Sequence, residues 1–494
     1  MKKLNRRTFI SDTSKLAAGA MIVPRHVLGG PGYQAPSDTL NIAIIGVGGQ
    51  GTENAQEMGS ENVVAVCDVD FGIVGRRVVE RLKDNEGKPR EKGHRWQEQY
   101  RTARQYTDFR RLLDQESDVD AVVIATPDHL HAPIAKAAMQ SGKHVYVEKP
   151  LTYTVHEARV LARVAEETGV VTQMGNQGHS HDDARLVNEW VQAGVIGPVH
   201  AVHIWTNRPI WPQGVLRPQP WTEGLNPGWY QQWHQGAIRS LAADLMHTGY
   251  NKPPNMDWAM YLGPVAKDLP YHPIYHPFNW RGWVDFGVSA LGDMGAHLVD
   301  HPYWALDLDY PTSIEATSTP WGGPEEDPSS YPLAMAAHYN FPARGDQPPV
   351  KMSWYDGGLM PPRPEALPDD AELNRTGGVI FEGERGILMH ETYGRNPKLF
   401  PASLQESADR VPKTHARIEA THQMNWVEAC KGEAEATSPF SYAARLTEVM
   451  LLGIVALRTG QGRKILYDGP AMEITNVPEA NQYLTRPYRD GWAV

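Results

Sequence analysis

The sequence predicts a two-domain protein of class α/β plus α+β, in which a doubly wound parallel sheet precedes an open, mostly antiparallel sheet with helices. Two patterns lead to this fold class. Between residues 40 and 174, short apolar runs alternate with helix-like segments, as in parallel strands joined by crossover helices. From residue 199 to 206 the pattern changes to a strand-like alternation of apolar and polar residues. We expect six strands in the first sheet, with their carboxyl ends at one edge.

Composition and charge narrow the classes of partner. The chain has 494 residues, enough for two or more domains, and a formal net charge of −11. This acidic balance offers no basic surface to nucleic acid or to an anionic membrane, so we expect small-molecule ligands and no membrane insertion. Cys67 and Cys430 are the only cysteines, which excludes a disulfide framework and a cysteine-rich metal site.

The first 35 residues are typical of an export signal rather than of a folded domain. Arg6 and Arg7 are adjacent and precede an apolar stretch over residues 16–23 that is too short to span a bilayer. This arrangement predicts a twin-arginine signal, and with it a periplasmic or otherwise exported location for a chain that folds beforehand. The alternative is the basic, frayed N-terminus of a cytoplasmic protein.

The first apolar run leads into a glycine-rich turn. Residues 40–45 read as a buried strand, and the next six residues, Gly46-Val47-Gly48-Gly49-Gln50-Gly51, fit G-x-G-x-x-G at the start of a helix. Such glycines let the backbone approach a pyrophosphate. A second run, residues 63–67, ends in Asp68, whose carboxylate can accept the ribose hydroxyls and would repel a 2'-phosphate. These features predict NAD rather than NADP, bound by Gly46, Gly48, Gly49, Gln50, Gly51 and Asp68.

A lysine follows the strand predicted at residues 144–147. Glu148 and Lys149 precede Pro150, which cannot extend a strand ladder, so the lysine is delivered to the open edge of the sheet. There it can donate a hydrogen bond or a proton to a reacting oxygen. The alternative is a surface Lys-Pro corner without chemistry. Gln177 follows the last strand of the same sheet, and we expect it on the nicotinamide side of the cleft.

A second candidate for catalysis is an aspartate–histidine pair. Asp293 and His297 are four residues apart and share one face of a helix. Histidine titrates in the range that suits removal of a hydroxyl proton, and we expect the neighbouring carboxylate to raise its basicity and fix its orientation. Lys149 could then stabilise the developing alkoxide. The alternative is a helix-capping aspartate with a core histidine.

The chain resembles the Gfo/Idh/MocA family, which includes glucose-fructose oxidoreductase and inositol dehydrogenase. The resemblance covers nearly everything from residue 40 onwards. It rests on the glycine motif, on Thr126-Pro127-Asp128-His129-Leu130-His131, on Gly142-Lys143-His144 leading into Glu148-Lys149-Pro150, and on Gly292-Asp293-Met294-Gly295-Ala296-His297-Leu298-Val299-Asp300.

The resemblance implies Lys149, Asp293 and His297 as the catalytic groups. It places four residues near the cofactor: Thr126, Pro127, His131 and Glu148. It also implies an antiparallel second sheet and a homo-oligomer, either a dimer or a tetramer. One residue departs from the pattern, since Asp128 stands where the family usually has asparagine.

The second domain begins with a stretch rich in tryptophan. Eight of the fifteen tryptophans lie within residues 203–283, among many prolines and glycines. Flat rings suit the apolar faces of sugars, so we predict a saccharide or glycoside site. Covering the sheet and filling a subunit interface accounts for most of these tryptophans, and we expect about two or three to face a ligand. The predicted substrate-binding residues are Trp211, Arg208, Trp280, Arg281 and His247, and the same stretch holds Trp221, Trp229, Trp233, His234 and Asp244.

The remaining segments give coarser predictions. His179 and His181 are close in sequence, but the start of a helix explains them, and we predict no metal. Residues 311–370 are rich in proline, glycine and acid and carry only broken strand signals, which predicts loops that decorate the sheet, and residues 377–391 predict strand. Residues 419–430 and 442–458 predict helices, the second with an apolar face that packs on the first domain.

The predicted organisation is an export signal over residues 1–35, an NAD-binding domain over 36–180, a substrate and oligomerisation domain over 181–480 and a tail over 481–494. Three functions remain open. The first is an NAD-dependent oxidoreductase of a sugar, polyol or glycoside. The second is a redox-neutral, NAD-dependent glycosidase, and the third is a cofactor-holding binding protein without turnover. Free NAD is scarce outside the cytoplasm, so an exported enzyme is expected to bind its cofactor tightly.

Overall fold

The computed structural model describes residues 38–218 and 246–494. The predicted export signal lies outside the described residues. So do residues 219–245 of the tryptophan-rich stretch, which include Trp221, Trp229, Trp233, His234 and Asp244.

The first sheet has six strands in the order β3-β2-β1-β4-β5-β6, and every neighbouring pair is parallel. This confirms the predicted doubly wound sheet. Strand β4 is buried at every position because a parallel sheet of this kind is covered on both faces. The strands are β1 (Asn41–Ile45), β2 (Asn62–Cys67), β3 (Arg104–Tyr106), β4 (Ala121–Ile124), β5 (His144–Val147) and β6 (Thr172–Met174).

Six helices accompany this sheet. Helix α6 begins with a capping box, in which the Thr154 hydroxyl accepts from the Glu157 amide and the Glu157 carboxylate accepts from the Thr154 amide. The helices are α1 (Gln50–Glu57), α2 (Phe71–Glu80), α3 (Glu91–Thr102), α4 (Phe109–Gln115), α5 (Asp128–Gln140) and α6 (Val155–Thr168).

The second sheet has nine strands in the order β13-β12-β11-β7-β10-β9-β8-β14-β15. All its pairs are antiparallel except β7 with β10, so the predicted open, mostly antiparallel sheet is confirmed. Its strands are β7 (Val199–Thr206), β8 (Ser313–Ser318), β9 (Met335–Phe341), β10 (Val350–Tyr355), β11 (Gly377–Gly383), β12 (Gly386–Glu391), β13 (Lys398–Phe400), β14 (Lys464–Asp468) and β15 (Glu473–Ile474).

In the described residues of this second part, the helices are α7 (Asp182–Gln192), α8 (Trp258–Leu262), α9 (Ser289–Leu298), α10 (Asp300–Ala305), α11 (Gln405–Ala408), α12 (His422–Cys430) and α13 (Phe440–Thr459). Single turns of 3₁₀ helix lie at Gln177–Ser180, Asn279–Gly282, Thr392–Gly394 and Ala402–Leu404, and a longer one at Pro478–Leu484.

The prediction of loops over residues 311–370 was correct only in part, since this segment also supplies β8, β9 and β10. Strand β9 shows why the signal was weak. Its buried positions are Met335, Ala337, Tyr339 and Phe341, and half-buried residues separate them. Because one core position holds only an alanine and proline- and glycine-rich loops lie on both sides, the alternation of apolar and polar residues is hard to recognise in the sequence.

Helix α13 lies between the two sheets. It packs on α6 of the first domain and on β8 of the second sheet, which confirms the expected docking of this helix on the first domain. By length and mean hydropathy, 1.5, it would also suit a membrane span, but most of it is buried inside the protein. It therefore joins the two domains through one continuous apolar core.

Candidate active site

A cleft of about 710 Å³ lies where the carboxyl ends of β1, β2, β4 and β5 face helix α9 of the second domain. Both domains supply its walls, as expected for a site at the strand ends of an open α/β sheet. Among its lining residues are Gly46, Gly48, Gly49, Gln50, Asp68, Thr126, Pro127, Glu148, Lys149, Gln177, Trp280, Arg281 and His297.

The glycine turn forms the floor of this cleft. Gly46 has φ +85°, and a Cβ there would come within 2.6 Å of the Ala125 carbonyl carbon, so only glycine fits beside β4. A Cβ on Gly51 would collide with the Gly46 carbonyl oxygen. By contrast, the space above Gly49 is open to 4 Å. The backbone is thus free to approach a phosphate group at the start of α1.

Asp68 holds the glycine turn in place. Its Oδ2 accepts hydrogen bonds from the amides of Val47, at 2.7 Å, and Gly48, at 3.0 Å, and its Oδ1 accepts from the Asp70 amide. The carboxylate also lines the cleft, and it has acceptor capacity beyond these three bonds.

One unpaired group in the cleft supports a nucleotide ligand. The Thr126 Oγ1 is buried and has no hydrogen-bond partner among the described residues. Buried polar atoms rarely lack a hydrogen-bond partner in native proteins, so we expect a ligand group or a water molecule to form a hydrogen bond with the Thr126 hydroxyl. The open glycine turn, the Asp68 carboxylate and the Thr126 hydroxyl together fit a bound dinucleotide.

Lys149 is joined to Asp293 across the domain boundary. Its Nζ donates to the Asp293 carbonyl oxygen at 2.6 Å and to Oδ1 at 2.8 Å. Arg281 Nε donates to the same Oδ1 at 3.2 Å, and Arg208 Nε lies 3.9 Å from Oδ2. Burial by itself would raise the pKa of Asp293, but Lys149, Arg281 and Arg208 outweigh it and hold that pKa well below its usual range.

His297 is kept neutral rather than made more basic. It is buried, it lines the cleft, and its Nδ1 has no hydrogen-bond partner in the described part of the chain. Burial, and then the charge of Lys149, hold its pKa well below the ordinary value. The Asp293 charge does raise the pKa of His297, as expected, but burial and Lys149 outweigh it. The Asp293 carboxylate itself is engaged by Lys149 and Arg281.

Two of the predicted cofactor-binding residues do not line the cleft. Gly51 packs against Gly46 beneath the turn. His131 lies behind the wall, with Nδ1 2.8 Å from the Pro150 carbonyl oxygen and Nε2 2.9 Å from the Thr126 carbonyl oxygen. It ties together the chain segments after β4 and β5. Glu148, which does line the cleft, accepts through Oε1 from the side-chain Nδ2 of Asn54 at 2.9 Å.

The predicted substrate residues are only partly brought together. The Trp280 ring lines the cleft, with the Arg281 guanidinium 4.2 Å from its centroid. Trp211 is buried and donates from Nε1 to Gln213, without lining the cleft. His247 stacks on Tyr250 and also lies outside the lining.

Tyr393 is a cleft residue that the sequence reasoning missed. Its ring centroid lies 4.7 Å from that of His297, and Arg395 lines the cleft beside it. Tyr393 has φ +68°, a conformation that non-glycine residues rarely adopt. No local pattern distinguishes this tyrosine from the other nineteen in the sequence, which contains twenty.

The two histidines considered as metal ligands point to different partners. His179 Nδ1 lies 3.0 Å from Asp300, and its ring stacks on Trp304, while His181 approaches Tyr393. Within residues 38–218 and 246–494, no group of three histidine, cysteine or acidic side chains is arranged to hold a metal.

Asp128 lies beneath the cleft and connects the two domains. Its Oδ2 accepts from the amide of Val288, the residue that precedes helix α9. The side chain is buried, and burial raises its pKa to about 7 in spite of the nearby charges of Arg281 and Lys149. The carboxyl therefore takes up a proton near neutral pH.

Replacing Asp128 by asparagine is expected to make stability less dependent on pH between about 4 and 7. The folded protein keeps the Asp128 proton up to about pH 7, whereas the unfolded chain releases it near pH 4. The free energy of unfolding therefore falls as pH rises through this window. An asparagine oxygen can still accept from Val288 without gaining charge.

Urea denaturation at about pH 5 and about pH 8 measures this effect of Asp128. The wild type should lose more unfolding free energy between the two conditions than the asparagine variant. Asp356, another buried carboxyl whose pKa burial raises to about 7, remains in both proteins, so only the difference between them is informative. Equal losses in the two proteins would contradict the assignment.

Comparison with known proteins supports the cofactor assignment. Residues 40–176 match the Gfo/Idh/MocA model, described as oxidoreductase family, NAD-binding Rossmann fold. A glycosyl hydrolase family 109 protein of Shewanella pealeana is 30% identical over 213 residues. That alignment covers 40% of this chain and 44% of the relative, so the chain spans less than half the length of this relative.

Two solved structures show the same fold at low identity. The WlbA dehydrogenase of Bordetella pertussis, solved with NADH and UDP-GlcNAcA, matches with a TM-score of 0.52 at 14% identity, over 87% of this chain and 99% of that chain. Levoglucosan dehydrogenase, solved with NADH and levoglucosan, matches with a TM-score of 0.50 at 16% identity, over 85% and 97%. Residues 40–176 are therefore an NAD-binding Rossmann domain of the Gfo/Idh/MocA oxidoreductase type, joined to a mixed, mostly antiparallel sheet.

Proposed function

We propose that the protein oxidises a secondary alcohol of a sugar, polyol or glycoside, with NAD as the hydride acceptor. The observation that carries this proposal is that Lys149 and His297 line the same cleft as the glycine turn. A substrate carbon beside Lys149 would thus be within reach of both protein groups and of a nucleotide seated on that turn.

The protein groups divide the proton chemistry between them. The Lys149 ammonium, oriented by Asp293 at 2.8 Å, can donate a hydrogen bond to the substrate oxygen and stabilise negative charge as it develops. The neutral imidazole of His297 carries a free lone pair and can take the hydroxyl proton. Burial of both groups strengthens these interactions because little water competes for them.

The aromatic wall supports a sugar-like substrate. Trp280 and Tyr393 both line the cleft near its catalytic end, and Arg281 joins the Trp280 ring to Asp293. Rings of this kind can pack against the apolar face of a pyranose, while charged neighbours bind its hydroxyl groups. The ligands named for the two structural neighbours, UDP-GlcNAcA and levoglucosan, belong to the same chemical class.

A redox-neutral glycosidase is the second candidate, and the relative named as a glycosyl hydrolase of family 109 favours it. Oxidation of a ring hydroxyl to a ketone would acidify the hydrogen on the neighbouring carbon. Elimination would then release the glycosidic substituent, water would add to the resulting double bond, and reduction of the ketone would complete the cycle. The same pair of groups, Lys149 and His297, would serve both reactions.

One experiment separates the two candidates. The purified protein with NAD is mixed with a panel of sugars, polyols and glycosides, and the near-ultraviolet absorbance of reduced nicotinamide is recorded together with release of the aglycone. Stoichiometric, lasting reduction by one compound supports the oxidoreductase. Transient reduction with aglycone release over many turnovers supports the glycosidase. If no compound in a broad panel caused cofactor reduction or aglycone release, the result would count against both proposed functions.

A further inference from the structure

A segment from late in the chain contributes to the wall of the cleft. This segment, residues 486–492, brings Trp492 into the lining, which also includes Phe109, Leu130, Ile134 and Met260. Lys149 and His297 line the same cleft. The wall at Trp492 has no part in the chemistry proposed above.

The strand order identifies which part of a dinucleotide would reach this wall. Lys149 follows β5, whereas Phe109 begins helix α4 just after β3, and these strands lie on opposite sides of β1. The glycine turn after β1 is the place for the pyrophosphate. With the nicotinamide directed toward Lys149, the adenosine half extends past Asp68 toward Phe109 and Trp492.

The segment is firmly attached to both domains. Arg486 Nη2 donates to the His129 carbonyl oxygen at 2.7 Å and pairs with Glu157 at 2.6 Å. The Tyr488 hydroxyl also donates to Glu157, at 2.9 Å, and the Tyr488 backbone forms a β-bridge with Val265. Arg489 donates to the Ala259 carbonyl oxygen at 2.6 Å.

Trp492 itself is held by the first domain. Its ring centroid lies 5.8 Å from that of Phe109, and the Arg110 guanidinium lies 4.3 Å from the ring. Arg110 also reaches the Gly491 carbonyl oxygen, at 3.4 Å. Only 5% of the Trp492 residue surface is exposed, yet the ring lines the cleft. The indole is thus fixed before any ligand arrives.

We propose that residues 486–492 form a clasp that retains the adenosine half of NAD, with Trp492 as its contact surface. The adenine base is flat and aromatic, and Phe109, Ile134 and Trp492 offer it an apolar, partly aromatic wall. Stacking of a base on an aromatic side chain strengthens binding by about ten- to hundredfold. The inference rests on NAD as the cofactor and on no assumption about the substrate.

The test compares binding of NAD with binding of its two halves. Equilibrium dialysis of the full-length protein, freed of nucleotide, gives the Kd for NAD, for ADP-ribose and for nicotinamide mononucleotide. In Trp492→Ala the Kd for NAD and for ADP-ribose should rise about ten- to hundredfold, while the Kd for nicotinamide mononucleotide should stay within about twofold. Trp492→Phe, which keeps an aromatic ring, should recover most of the loss.

Trp321→Ala is the matched control. Trp321 is equally buried, at 5% exposure, and packs on Tyr331 outside the cleft. Its loss should leave all three constants close to those of the wild type. The clasp would be refuted if Trp492→Ala left the Kd of NAD and ADP-ribose unchanged, if all three ligands weakened equally, or if Trp321→Ala produced the same pattern. None of these readouts requires turnover, so failure of the proposed reaction would leave the clasp intact.

Discussion

Replacing Lys149 by alanine is expected to lower kcat about a thousandfold while NAD stays bound. The Lys149 ammonium is the cation that reaches the reacting oxygen in the proposed reaction, and alanine leaves no donor in its place. Asp293 would still be paired, since Arg281 donates to its Oδ1 at 3.2 Å. The fold should therefore survive, and the loss should appear in turnover rather than in stability.

Steady-state kinetics with the alcohol that reduces the cofactor, together with the NAD content per chain, measure this effect. Lys143→Ala is the matched control. Lys143 lies just before strand β5, which Lys149 follows, and it donates to the Val119 carbonyl oxygen outside the cleft. The kcat of this variant should remain near the wild-type value. If Lys149→Ala kept kcat within about tenfold of the wild type, the proposed role of Lys149 would be wrong.

Replacing Glu157 by alanine is expected to lower the free energy of unfolding by about 3–5 kcal/mol. Glu157 is fully buried and pairs with Arg486 at 2.6 Å, and it accepts from the Tyr488 hydroxyl. Its second oxygen accepts from the amides of Tyr153 and Thr154 at the start of α6. Alanine would leave the Arg486 charge and these amides without their partner in a buried position.

Urea denaturation of the full-length protein measures this loss. Glu167→Ala is the control, because Glu167 lies near the end of the same helix and its ion pair with Arg163, at 3.7 Å, is exposed on both sides. That change should cost less than about 0.5 kcal/mol. A cost below about 1 kcal/mol for Glu157→Ala would show that the buried cluster contributes little to stability.

The sequence predicted the first domain well because its strands are buried on both faces. Such strands read as nearly continuous apolar runs, and the glycine turn after β1 is a local pattern. The position of strand β3 was not predicted, because its residues Arg104, Gln105 and Tyr106 are polar and lie at the edge of the sheet. Strands β8 to β10 gave only broken strand signals because proline- and glycine-rich loops separate them.

The sequence predicted many residues of the cleft but not the contacts between them. Spacing placed Asp293 and His297 on one helical face, and both are near the cleft. Which partner the Asp293 carboxylate binds depends on a lysine 144 positions earlier in the chain, and no local pattern encodes that distance. Tyr393 and Trp492 enter the cleft from remote segments for the same reason.

Helix α13 limits how the protein can be divided. Its side chains fill the space between the parallel sheet and the antiparallel one, so neither half has a complete core without it. A fragment ending after residue 176 would contain every strand of the NAD-binding sheet. It would nevertheless expose to water the apolar side of α6 that α13 covers in the full chain. Any chimera that exchanges the nucleotide domain with a relative must therefore carry α13 as part of that domain, although it lies far away in the sequence.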